Sequence, residues 1–325
     1  MTSKAVASPN IALIKYWGKK ESQSDSDRNI GLNPSISMTL SKAQTVAEVS
    51  QIHESESDDI FINNKIASPE DQKKVAKHLD RIFDELKIKR FPCVVKSENN
   101  FPMATGLASS ASAFAALTLA TLQEIFKTDP SKMESYIKNT ELLSSLARRG
   151  SGSASRSIEG PFCYWESQYA KKLNLDWKLY DTVLILSREK KTVSSSQGHL
   201  LAQSSPHMKT RLEKLPQRTE KVLRALESKA INDLGPLIEE EALEMHKIMQ
   251  SSSSPIDYLL PETKKLLHAL NLRHTRDYYW TLDAGPNPHF ISERPIREEL
   301  EALLKQENIQ GEIWEDECGY GAKLL

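Results

Sequence analysis

The sequence has little cysteine, little glycine and no excess of either charge. The three cysteines in 325 residues, Cys93, Cys163 and Cys318, form no CxxC pair and no even-numbered framework. A disulfide scaffold and a cysteine-ligated zinc site are therefore not what organises the chain. Reduced thiols in a cytoplasmic protein are expected. Lys plus Arg (43) against Asp plus Glu (44) leaves a formal net charge of −1. That speaks against a nucleic-acid partner held by global positive charge, while leaving room for a local basic pocket. No run approaches the roughly 18 apolar residues of a membrane helix. The opening MTSKAVASPN lacks the charged and apolar regions of a secretory signal. With only 12 glycines, the chain contains neither GxxxxGK[ST] nor GxGxxG, which disfavours P-loop and dinucleotide folds. The eight histidines include no HExxH, and no GxSxG elbow is present, so zinc and serine hydrolases are disfavoured too.

What is present reads as a mixed α and β chain of about two domains, at roughly 100–200 residues each. IALIKYW, ending at Gly18, and residues 36–40 read as strands separated by the polar loop 21–29. Residues 58–67 read as a hairpin turning at Asn63-Asn64, because asparagine tolerates positive φ. Ser68-Pro69-Glu70-Asp71 is a helix start, followed by an apolar stripe at Val75, Leu79, Ile82, Phe83 and Leu86. Cys93–Val95 is a short strand. A small-residue loop then runs into a helix over 109–126, and a second helix is expected over 131–147. Residues 147–157 (ARRGSGSASRS) read as small and polar, and 182–187 as a buried strand. Near residue 188 the chain turns serine-rich and then helical, over about 208–227, 231–250 and 261–272, so the domain boundary is expected there, dividing 1–187 from 188–325. The strand in 277–285, a last helix behind Pro295 and a closing strand complete the expectation.

Four stretches carry chemistry. Pro102–Ser112 leaves backbone N–H groups unshielded ahead of a helix, which suits a phosphate, although small residues also permit close helix packing. Arg148, Arg149 and Arg156 bracket a glycine- and serine-rich run, suited to a multiply charged small ligand or, equally, to a solvated basic loop. Lys15 sits between Ile14 and Tyr16 on an apolar strand, either at a cleft or on a wet face. Asp283 precedes a Gly-Pro turn at a strand end, as a catalytic carboxylate or a local cap. His246 lies near an apolar helix face and reads as a packing group.

The order and wording of NIALIKYWGKK (10–20), NPSISMTL (33–40), NNFPMATGLASSAS (99–112), ARRGSGSASRS (147–157) and LDAGPNPHF (282–290) resemble the mevalonate diphosphate decarboxylases of the GHMP kinase superfamily. The resemblance implies an α+β fold of two domains. The N-terminal one carries a left-handed βαβ crossover and the phosphate loop, the C-terminal one is ferredoxin-like, and the active site lies in the cleft between them. It implies ATP- and Mg²⁺-dependent decarboxylation of (R)-mevalonate 5-diphosphate to isopentenyl diphosphate, through phosphorylation of the C3 hydroxyl. On matching positions, Asp283 is the base, Lys15 its partner and Arg156 the grip on the departing carboxylate. Tyr16, Lys19, Ser151, Ser153 and His199 bind substrate. Ser97, Gly106, Ala108, Ser109 and Ser110 bind ATP, and Ser110 reaches a Mg²⁺ held mainly by the ATP phosphates. A homodimer is a further implication.

Two positions depart from the family's pattern. Pro34 stands where many members have serine, and His199 where methionine is common, in Ser194-Ser195-Ser196-Gln197-Gly198-His199. Both lie near the 5-phosphate end. Alternatives kept open are a mevalonate 5-phosphate decarboxylase, a mevalonate 3-kinase that stops at phosphorylation, and a ligand sensor without activity. Retention of Lys15, Arg156 and Asp283 together argues against the last two.

Overall fold

The computed structural model describes residues 2–53, 55–101, 109–189, 191, 193–273 and 276–325. The chain opens with β1 (Ser3–Ala7) and β2 (Asn10–Ile14), which enter different sheets on either side of Pro9. β3 (Ser35–Thr39) pairs antiparallel with β2, and β4 (Thr45–Gln51) with β1. β5 (Asp59–Ile62) and β6 (Lys65–Ile66) form the expected hairpin, with Asn63 and Asn64 at φ 49 and 60. α1 (Pro69–Leu86) starts as the sequence indicates: Ser68 Oγ accepts the Asp71 N–H and Pro69 needs no donor in the first turn. β7 (Cys93–Asn99) then returns parallel to β5 and antiparallel to β4.

α2 (Ser109–Ile125) is so rich in alanine and leucine that it is buried along most of its length against this first sheet. The single helix expected over 131–147 is instead two, α3 (Pro130–Lys138) and α4 (Thr140–Gly150). Asn139 makes the break: it ends α3, and its side chain accepts the Leu142 N–H at 3.1 Å to start α4. The arginine-glycine-serine run is likewise no open loop, since α4 reaches Gly150 and a 3₁₀ segment follows over Gly152–Ser157. β8 (Phe162–Glu166) and β9 (Tyr169–Leu173) join β3 and β2 in a second sheet.

β10 (Tyr180–Ile185) belongs to a third sheet. The composition shift at residue 188 therefore does not coincide with the change of sheet, which falls before Tyr180. The short helix α5 (Ser195–Leu201), with a Ser194–Gln197 capping box, occupies the serine-rich stretch. α6 (Met208–Glu227), α7 (Ile231–Gln250) and α8 (Pro261–Asn271) fall where the apolar spacing indicates. β11 (Tyr278–Thr281), β12 (His289–Ser292), α9 (Arg297–Gln306), β13 (Glu312–Glu317) and β14 (Lys323–Leu324) follow. The third sheet runs β11-β12-β10-β13, and β14 pairs back to β1. Among the described residues no helix is long and apolar enough to cross a membrane.

The halves share a core. Ile11, Ile36 and Met38 of the second sheet cluster with Val183 and Ile291 of the third and with Leu215, Val222 and Ile238 of α6 and α7. Asp316 of β13 adds a polar clamp, accepting the N–H groups of Ser41, Lys42 and Ala43 at 2.9, 2.8 and 2.7 Å. α7 lies tight on β11 because residue 235 has no side chain: a Cβ there would run into the Tyr279 ring. Gly235→Ala should therefore destabilise the fold by about 1–3 kcal/mol through overpacking, measurable as a lowered denaturation midpoint. A midpoint equal to wild type would mean that Tyr279 swings clear at no cost.

Candidate active site

Lys15 follows the fully buried strand β2, and its side chain is 1% exposed. A lysine so placed needs partners. Its ammonium donates to the Ala12 carbonyl at 2.7 Å and to Asp283 Oδ1 at 2.7 Å. Its backbone is held as well: the N–H donates to Glu241 Oε1 at 2.9 Å, and the carbonyl accepts from Asn33 Nδ2 at 2.9 Å. Glu241 is buried in an ionic cluster with Arg211, Arg218 and Glu244, with closest contacts of 2.5 to 3.0 Å.

Asp283 lies in the turn between β11 and β12, and 29% of its side chain remains exposed. It is the open end of a pair whose other end is sealed. Its carbonyl accepts the Gly285 N–H at 2.7 Å and faces His246 Nε2 at 3.1 Å. Burial alone would push its carboxyl up; the Lys15 ammonium, with Arg156 behind it, holds it below the ordinary range. Burial pulls the Lys15 ammonium down, and Asp283 and Glu241 push back.

Arg156, 3% exposed, projects from the 3₁₀ segment. Its Nε donates to Asn10 Oδ1 at 3.2 Å, and its guanidinium lies 5.5 Å over the Trp165 ring. Its Nη1 is buried with no hydrogen-bond partner among the described residues. Burial lowers it to about 10, so it stays charged at neutral pH. Tyr16 stands edge-on to Trp165 and donates its hydroxyl to the Asn29 carbonyl at 3.0 Å. It also lies against Gly152, where a Cβ would meet the ring at 2.5 Å, so the 3₁₀ segment can approach only as glycine. His199 stacks on Tyr16 and Trp17, with ring centroids at 4.2 and 4.6 Å. Its Nδ1 accepts the Gly18 N–H at 3.1 Å, which fixes the proton on Nε2. Burial, with Lys19 and Arg156 nearby, keeps the ring neutral. Lys19 reaches Asn29 Oδ1 at 2.9 Å.

A line of hydroxyls joins the start of α2 to this group: Ser110 Oγ lies 3.3 Å from Ser151 Oγ, which lies 3.2 Å from Ser153 Oγ. Ser109 opens α2. Gly106 and Ala108 lie outside the described residues. Ser97 sits in β7, paired with Ala47 and Ile62, without a hydrogen bond from its side chain to the other candidates among the described residues. Of the three arginines in the basic run, only Arg156 joins the site. Arg148 is fully buried and donates to the carbonyls of Arg28, Ser26 and Gln168, while Arg149 pairs with Glu85. Sequence reading missed Asn10, whose amide bridges Arg156 to the Ser153 carbonyl and Ser157 Oγ. Its place five residues before Lys15 in the same motif was the available signal. It also missed Asn29, Glu241 and Arg211, which no local pattern marks.

The assembled groups are an ionised carboxylate open on one side, two cations without carboxylate partners among the described residues, and a run of hydroxyls at a helix start. They suit removal of a proton from a hydroxyl next to bound polyanions.

Comparison with known proteins agrees. Residues 7–174 match the family model of the diphosphomevalonate decarboxylase-like N-terminal domain, and residues 182–318 that of the mevalonate 5-diphosphate decarboxylase C-terminal domain. The diphosphomevalonate decarboxylase of Candida albicans is 31% identical over 331 residues, covering 94% of this chain and 88% of its own. That of Saccharomyces cerevisiae is 31% identical over 315 residues, covering 88% and 76%. The crystal structure of mevalonate diphosphate decarboxylase from Staphylococcus aureus superposes with a TM-score of 0.88 at 31% identity, covering 100% of this chain and 98% of that one. A structure described as "MDDEF in complex with MVAPP, AMPPCP and Magnesium" superposes with a TM-score of 0.86 at 29% identity, covering 100% and 99%. These likenesses bear out the two-part α+β fold.

Burial, and after it Arg28, pull the Lys19 ammonium down to about 8. An anion that binds its charged form should lose that contribution as the pH rises through about 8. Inorganic pyrophosphate, titrated calorimetrically against wild type and Lys19→Gln, should bind wild type about tenfold more tightly at neutral pH, as expected for a charge-assisted contact. The ratio should approach one above that value, since the deprotonated amine carries no charge. A ratio that does not change with pH would remove Lys19 from the anion site.

Proposed function

We infer that this chain, which belongs to the diphosphomevalonate decarboxylase family, carries out the ATP-dependent decarboxylation of (R)-mevalonate 5-diphosphate to isopentenyl diphosphate, CO₂, ADP and phosphate. The observation that carries the reading is the 2.7 Å Lys15–Asp283 pair, with Arg156 buried near it and, among the described residues, unpartnered at Nη1.

In this reading Asp283 orients the C3 hydroxyl and takes its proton as the oxygen bonds to the γ-phosphorus of ATP and ADP leaves. A positioned base is worth about 10²–10⁴-fold. Lys15 keeps that carboxylate ionised beside polyanions that would otherwise raise its proton affinity. The C3–O bond of the resulting phosphate ester then breaks, and phosphate departs with the oxygen and the bonding pair. The carboxylate carbon leaves as CO₂, its bonding pair forming the double bond at C3. Arg156, with a free arm of its guanidinium fork, holds that carboxylate aligned with the emptying orbital, which is largely positioning. Tyr16, Lys19, Ser151, Ser153 and the Nε2–H of His199 hold the diphosphate. Ser109 and Ser110 at the start of α2, together with Gly106 and Ala108, bind ATP through its phosphates, and Ser97 touches the nucleotide.

The donor set suits Mg²⁺ that enters with ATP. Among the described residues no group of three or more His, Cys, Asp or Glu is placed to hold a metal ion, and hydroxyls such as Ser110 are compatible with a cation carried by phosphates. Bound there, Mg²⁺ would neutralise charge on the phosphates during transfer. We place the domain division before Tyr180, where the sheet changes, in preference to residue 187/188. The free thiols of Cys93, Cys163 and Cys318 accord with action in the cytoplasm.

Purified protein with Mg²⁺-ATP should release ADP and CO₂ in equal amounts with mevalonate 5-diphosphate, and neither with mevalonate or its 5-phosphate. ADP without CO₂ would make the protein a 3-kinase, and equal release with the monophosphate alone would move the substrate. Asp283→Ala should abolish turnover with nucleotide binding nearly intact; more than about a tenth of wild-type kcat would refute the assignment of the base. Arg156→Lys should also fall steeply in kcat, because a point charge cannot replace a bidentate fork.

A further inference from the structure

The two partners of the central ion pair come from different halves of the molecule, yet their backbones meet one helix. On α7, Glu241 accepts the Lys15 N–H at 2.9 Å. Five residues on, about 7.5 Å along the axis at 1.5 Å per residue, His246 lies 3.1 Å from the Asp283 carbonyl through Nε2. A carbonyl can only accept, so Nε2 carries the proton and the ring donates. Nδ1 is then left buried with no partner among the described residues. Such an orphan costs about 1–3 kcal/mol, which a hydrocarbon side chain packed here would avoid. The Nε2–H bond is therefore the property that distinguishes histidine from a better packing residue at this position. With Gly285 N–H as second donor, the Asp283 carbonyl is pinned from two sides. Glu241 is itself locked by Arg211 and Arg218.

We propose that α7 sets the separation of Lys15 and Asp283 by gripping both through their backbones, and that His246 is the positioning residue on the Asp283 side. The proposal rests on Asp283 being the base. It acts on kcat, because a base displaced by about 1 Å can cost up to 10²-fold while ground-state contacts to the rest of the substrate persist.

Two variants of matched size and shape separate positioning from packing. His246→Gln keeps an N–H where Nε2 stands, and His246→Met has the same unbranched bulk with no donor. H246Q should stay within about threefold of wild-type kcat and H246M should fall at least about tenfold. KM for both substrates should change less than about twofold in each, as expected for an interaction felt in the transition state. Crystal structures of wild type and both variants give the Lys15 Nζ–Asp283 Oδ1 distance, which should stay near the wild-type 2.7 Å in H246Q and exceed about 3.5 Å in H246M. Equal losses in the two variants would overturn the proposal, as would the wild-type separation kept in H246M. If wild type releases no ADP with any mevalonate substrate, the proposed function fails, while the three distances still decide whether His246 holds the pair.

Discussion

A lysine and an aspartate 2.7 Å apart, one sealed and the other opening outward, impose a constraint on everything around them. Removing an ammonium from water costs several kcal/mol, and a single partner repays that only when the geometry is held. The chain holds it with parts far apart in sequence. Lys15 follows β2 in the second sheet, Asp283 follows β11 in the third, and α7 lies behind both. The pair exists only once the halves are docked, so the geometry of the pair and the packing of the halves are one problem. Two of the fully buried charges outside the pair, Glu241 and Arg211, sit next to it.

Charge is apportioned with the same economy. Arg148 and Arg149 are consumed by carbonyls and by Glu85. Among the described residues Arg156 Nη1 has no partner, and the Lys19 ammonium donates to the neutral amide of Asn29. A near-neutral chain can thus hold a polyanion: net charge matters less than which cations lack carboxylate partners at one spot. Neutral His199, its proton fixed on Nε2 by the Gly18 contact, adds a donor without adding repulsion among the cations.

Local signals were legible in the sequence. Ser68 and Pro69 started α1, and Asn63-Asn64 made a turn, because caps and positive φ depend on the residue itself. Lys15 stood out because a charge among Ile, Leu and Tyr needs an explanation. What depended on partners distant in the chain was not legible. Spacing could not divide Arg148 from Arg156, since both lie in one run and only folding gives them different partners. β10 read as the end of the first half because its apolar run carries no mark of which sheet accepts it. His246 read as packing, as its apolar helix face suggests, and its bond to the Asp283 carbonyl came from a turn 37 residues away. The break at Asn139 was a local signal that an otherwise helical stretch concealed. The family motifs named candidate site residues where spacing alone left alternatives open, but they were silent on Asn29, Glu241 and Arg211.

The apolar cluster that joins Ile11, Ile36 and Met38 to Leu215, Val222 and Ile238 also governs how the molecule comes apart. Domains that meet through a thin polar interface melt separately and can be exchanged between homologues. Here, stripping one half from the other would expose the very side chains that form the interior of each. Heating should therefore give one calorimetric transition rather than two. A chimera joining the first half of one relative to the second half of another would inherit mismatched interior surfaces, so the two halves are bound to drift together in evolution.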